Sequence, residues 1–164
     1  MADVNLVFTA YTSSNPATPL APWSTTTGAV AARVDANSYF RPVGSASYAG
    51  WTYSAAKLSP SSNILTCDAR IVGTSLTSYN AAVTMLNGSG NGYMITIEPF
   101  NVKLHRVTGG INGTKVQLST VVNSQAANNV YTLKYNISTG LLSAEVNSVQ
   151  VTSATDSTYI SDDL

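Results

Sequence analysis

The sequence predicts an all-β protein, an antiparallel β-sandwich with an irregular Pro-rich N-terminal arm, and three observations carry that prediction. Apolar and polar residues alternate with a period of two from residue 63 onward, the spacing that sends successive side chains to opposite faces of a strand. No long segment places apolar residues at i, i+3, i+4 and i+7, as a helix packed on a core requires. Clusters of Gly, Asn, Ser and Pro interrupt the alternation and leave roughly ten short strands, the density of a sandwich or barrel.

Asp3 to Ala10 reads as a first strand. Tyr11 to Trp23 contains Pro16, Pro19 and Pro22, which fix φ and remove backbone donors, so the segment suits neither a central strand nor a helix interior. The expected division is therefore a strand and extended arm over residues 1–28 and a sandwich domain over residues 29–164. Ala29 to Val34, Tyr48 to Tyr53, Asn63 to Val72 and Ala81 to Leu86 are the next strands. Tyr93, Ile95 and Ile97 then alternate with Met94, Thr96 and Glu98, and Val102 and Leu104 alternate with Lys103 and His105. Setting Ile95 opposite Leu104 and Ile97 opposite Val102 turns all four one way and leaves Glu98 to Asn101 as the hairpin loop. After the glycine-rich turn at 108–113, Val116, Leu118, Thr120 and Val122 are expected to share a face. Tyr131, Leu133 and Tyr135, then Leu142, Ala144 and Val146, continue the meander. Asn147 and Ser148 make a two-residue turn that brings Val149 opposite Val146.

Composition excludes several partners. Of 164 residues, 44% are hydrophobic and only 10% charged, against a usual charged fraction of roughly 25%. Eight basic and eight acidic side chains cancel, so the counterion-release term that drives binding to nucleic acid, or attraction to an anionic membrane, is missing. Ser, Thr and Asn fill 55 positions and give a surface that hydrogen-bonds without repelling. No run has the length of a membrane span, and Met1 to Leu6 lacks the basic and apolar stretches of a signal peptide, as expected of a protein assembled in the cytosol.

Chemistry-bearing residues are sparse. The glutamates are Glu98 and Glu145, in different strands, whereas a glycosidase needs two carboxylates together. Glu145 is expected to project outward beside Lys134 as a cross-strand ion pair. His105 is the single histidine, expected on the outward face opposite Met94 and solvated, with no orienting acid in sight. Cys67 lies on the apolar parity of its strand, beside Leu65 and Ala69, and is expected to be a buried, unreactive thiol. No metal or cofactor is expected, and the chain is not expected to be an enzyme. The aromatic residues offer the other functional reading. Tyr39, Tyr48 and Trp51 are candidates for stacking on a glycan, although Trp51 and Tyr53 share a strand face and equally suit a core. Pro19, Leu20, Pro22 and Trp23 form a compact apolar group suited to a partner's pocket.

The stretch from Gly92 to Val107, which ends in Leu104-His105-Arg106-Val107, and the hairpins from Tyr131 through Asn147 to Val151 resemble the C-terminal half of concanavalin A-like, laminin-G-like sandwich domains. The resemblance spans residues 92–158, with Ser148 where glycine is usual. It implies the sandwich (a concanavalin A-like jelly roll) and carries no calcium or sugar ligand onto a named position. A small, nearly uncharged, Ser/Thr/Asn-rich chain of this kind also resembles structural proteins of tailed bacteriophages. The first functional expectation is accordingly a non-catalytic virion structural protein, decorating or cementing the capsid or associated with the tail, bound to capsid or other virion proteins, homo-oligomeric and assembled in the host cytoplasm. The second is a lectin-like, glycan-binding module for host or surface adhesion.

Overall fold

The computed structural model describes residues 63–70 and 81–159 in full, and before them the backbone of five short strands. These are β1 (Ser14–Ala17), β2 (Trp23–Thr25), β3 (Ala32–Val34), β4 (Phe40–Pro42) and β5 (Trp51–Tyr53). The expected strand Asp3 to Ala10 lies outside the described residues. Strand β1 contains Pro16 and sits at the edge of a three-stranded sheet ordered β1-β3-β4, the position where a missing amide costs a sheet least.

Strands β2 and β5 pair as a two-stranded ribbon, the remaining strands form two four-stranded antiparallel sheets facing each other as a sandwich, and the described residues contain no helix. One sheet comprises β7 (Ala81–Leu86), β8 (Gly92–Ile97), β9 (Asn101–Thr108) and β10 (Thr114–Val122), in the order β10-β9-β8-β7. The other comprises β6 (Ile64–Arg70), β11 (Val130–Asn136), β12 (Leu141–Val146) and β13 (Val149–Thr155), in the order β13-β12-β11-β6. The chain thus crosses between sheets after β6 and again after β10.

Local sequence explains the hairpins. Ile95 stands opposite Leu104 and Ile97 opposite Val102, and Glu98 N donates to Asn101 O at 2.8 Å to close the loop. Asn147 and Ser148 both take left-handed φ, 51° and 66°, the pair of angles a two-residue turn needs to match strand twist; Val146 and Val149 are opposed across it. Gly140 has φ of 71°, and a Cβ there would lie 3.0 Å from Asp156 O, so the turn into β12 requires glycine.

One continuous core fills the space between the sheets. Val83, Met85, Tyr93, Ile95, Ile97, Val102 and Leu104 meet Leu65, Tyr131, Leu133, Tyr135, Leu142, Ala144 and Val146. The Tyr93 and Tyr135 rings cross the gap with centroids 4.7 Å apart. At one end a polar clasp ties the segment after β13 to the opposite sheet. The Tyr93 hydroxyl donates to Asp156 O at 2.9 Å and accepts from Tyr159 N at 3.2 Å. Arg106 Nη1 donates to Asp156 Oδ2 at 2.8 Å and to Thr158 Oγ1 at 2.7 Å. Burial alone pushes the Asp156 carboxyl up, but the Thr158 hydroxyl and amide, the Tyr93 hydroxyl and Arg106 outweigh it and hold it below its ordinary value.

Three expectations of facing fail, each for a physical reason. The shared face of Val116, Leu118, Thr120 and Val122 is broken by a bulge between Gln117 and Ser119. The inserted residue inverts parity, so Val121 packs on the core and Val122 is 82% exposed. Val149 stands opposite Val146 as expected, but at the turn end of the edge strand β13 it is 65% exposed instead of covered. Finally, β8 does not alternate in burial at all, because Met94 and Thr96 on its outer face are covered as fully as Ile95.

Leu133 is fully buried while Lys134, next to it, points outward to Glu145. Leu133→Ala should cost about 2 to 5 kcal/mol and Lys134→Ala about 1 kcal/mol or less. Denaturant melts check this, and equal losses would mean that the two faces are misassigned.

Candidate functional site

Strands β2 and β5 pair in antiparallel register, Trp23 opposite Tyr53, Ser24 opposite Thr52 and Thr25 opposite Trp51. Because residues two apart on a strand share a face, Trp23, Trp51 and Tyr53 hold positions on one side of this ribbon, with Thr25 the fourth member. Directly opposed positions are about 5 Å apart and successive positions on one face about 7 Å apart, the scale of one sugar ring. Ser24 and Thr52 occupy the reverse face, and none of the six residues carries a charge. Pairing therefore joins Trp23, read as part of the arm, to Trp51 and Tyr53, read as a separate strand. The signal for it is the repeated aromatic-hydroxyl pattern of Trp-Ser-Thr and Trp-Thr-Tyr, which local reading does not connect. Pro19, Leu20, Pro22, Tyr39 and Tyr48 lie outside the described residues.

Three carboxylates among the described residues are each engaged in a separate ion pair. Glu98 pairs with Lys103 at 2.7 Å, Glu145 with Lys134 at 2.6 Å and Asp156 with Arg106 at 2.8 Å. The Lys134–Glu145 pair is the one expected across β11 and β12. Among the described residues no three His, Cys, Asp or Glu side chains gather as metal ligands. His105 faces outward from its sheet opposite Met94, as its parity requires, but it is not solvated. It is 9% exposed, and a hydrogen bond joins its Nε2 to Thr96 Oγ1 at 3.0 Å. The expectation of a solvated ring fails because the outer face of this sheet carries a second apolar cluster, Met94, Val107 and Ile111.

Cys67 packs against the main core opposite Leu133, and burial, with a smaller contribution from Asp68, pushes its thiol up to about 11. The thiolate needed for nucleophilic attack is thereby suppressed.

No known protein family matches the sequence, and no curated protein matches it. Among solved structures, the carbohydrate binding module CBM66 from Bacillus subtilis aligns with 57% of this chain and 58% of its own, at 18% identity and a TM-score of 0.42. The chain thus spans somewhat over half the length of that module.

The Cys67 environment generates a direct expectation. In the native protein at about pH 8, a thiol reagent should label it about a hundredfold or more slower than a free cysteine, with full reactivity restored by denaturant. Rapid labelling of the folded chain would place Cys67 at the surface.

Proposed function

We propose that this chain is a non-catalytic binding module that holds a neutral glycan against the aromatic face of its β2–β5 ribbon. The observation that supports this reading is the register that gives Trp23, Trp51 and Tyr53 one face. Aromatic rings present broad apolar surfaces with little conformational entropy to lose, and the C–H faces of a pyranose or furanose complement them. Thr25 adds a hydroxyl residue to the same face, and the absence of charge from either strand suits an uncharged polyol rather than an acidic sugar.

A second reading, attachment to a tailed-phage capsid or tail with the virion as its location, draws on a different feature. Val122 and Phe100 are neighbours, 82% and 63% exposed, with Asn123 N donating to Phe100 O. Ser119 bonds Thr152 across the sheets, and three residues onward along β10 and three back along β13 bring Val122 and Val149 to the same end. An uncharged apolar tip of this kind suits a protein partner.

Glycan-array screening followed by calorimetry separates the two. Binding to a neutral oligosaccharide is expected, weakened about tenfold or more by Trp23→Ala or Trp51→Ala with an unchanged far-ultraviolet spectrum, as for an aromatic hot spot. Absence of binding to any neutral glycan, with co-sedimentation on phage particles lost in a Phe100→Ser, Val122→Ser variant, would replace the first reading by the second.

A further inference from the structure

His105 is nearly buried on the outer face of the β7–β10 sheet, and its Nδ1 has no hydrogen-bond partner among the described residues. Met94 stands directly opposite it, and Val107 lies two residues along its own strand on the same face. Both pack with Ile111, from the turn after β9. That turn is secured to the β7–β8 loop by Gly110 N donating to Gly90 O at 2.8 Å and Gly109 N donating to Asn91 Oδ1 at 3.0 Å. Among the described residues, the charged groups around the ring are Lys103 on β9, Lys115 on β10 and Glu98 at the end of the β8–β9 hairpin. From β7 this face receives Ala82, Thr84 and Leu86, none of which titrates. Glu98 is already paired with Lys103.

We infer that His105 is an acid-sensitive latch beside the Met94–Val107–Ile111 layer: protonation releases this layer and the 109–113 turn while the core between the sheets stays folded. A protonated ring carries an N–H at Nδ1, which meets no acceptor among the described residues, and a buried unsatisfied donor is costly. Burial first, then repulsion from Lys103 and Lys115, hold the ring below its ordinary value of 6.5, with Glu98 opposing them. The opened state therefore takes up a proton more readily than the closed one. Closure is at full strength above about pH 6.5 and weakens as pH falls through that value. Opening stays local because the layer, in which Ile111 packs with Met94, Val107, Ala82 and Leu86, is a cluster separate from the main core.

Hydrogen exchange read by mass spectrometry at about pH 7.5 and about pH 5, corrected for intrinsic rates, tests the latch. The 108–113 segment should exchange about tenfold or more faster at the lower pH while β11 and β12 keep their protection. His105→Gln, which retains a partner for Thr96 but does not titrate, should abolish the difference. Equal protection at both pH values, the same acid opening in His105→Gln, or simultaneous opening of β11 and β12 would overturn the inference. Should that variant not fold, the ring's own titration by nuclear magnetic resonance decides in the unsubstituted protein. A midpoint below about 6.5 is expected, and one at or above it refutes the latch.

Discussion

Burial of one face of each four-stranded sheet against the other is the constraint on which the remaining structure depends. With so few charges in the chain, ion pairs contribute little, and the stabilising area lies between Tyr93, Ile95 and Leu104 on one side and Leu133, Tyr135 and Leu142 on the other. That constraint fixes parity in every strand, because a slip of one residue would exchange the whole apolar set for threonines and lysines. It also explains the ends of the sandwich. Once the inner faces are committed, Arg106 and Asp156 fall at the margin, where they pair with each other and with Tyr93 rather than intruding on the core.

Hairpins were legible in the sequence because their information is local. The 98–101 loop, the Asn147-Ser148 turn and the Lys134–Glu145 pair each involve residues close along the chain whose alternation admits one register. Bulges were not legible. At Gln117 and Ser119 the composition gives no sign that a residue is inserted, and alternation extrapolated past that point places Val122 inside. The burial of His105 was hidden for another reason. Alternation predicts which face a residue occupies, and does so correctly here, but it assumes that the second face of a sheet meets water. Ile111, carried in by a glycine-rich turn, covers part of it instead.

The candidate site shows the same division at longer range. Trp51 and Tyr53 are one residue apart from a shared alternation, and their common face is evident from sequence alone. Trp23 joins them only through strand pairing across an intervening sheet that includes β3 and β4, a contact no local pattern encodes. The resulting ribbon concentrates aromatic residues in a chain where they make up 9% of positions. Its lack of charge accords with a chain of zero net charge in which 10% of residues are charged, so both readings of function draw on one physical property: recognition by shape and hydrogen bonding without long-range electrostatics.

The sandwich depends on the two sheets facing each other in the alignment that brings β10 over β13. There Ser119 Oγ and Thr152 Oγ1 lie 2.6 Å apart, one from each sheet and 33 residues apart in sequence. Replacing both with cysteine probes that alignment directly, since a disulfide forms only where Cβ atoms approach to about 4 Å, and the native Cys67 is half-buried on β6, at the opposite edge of its sheet from β13. The Ser119→Cys, Thr152→Cys protein should oxidise to an intramolecular crosslink under mild conditions and keep its fold. If the pair stays reduced in the folded protein, or links only between molecules, the sheets do not face each other as described.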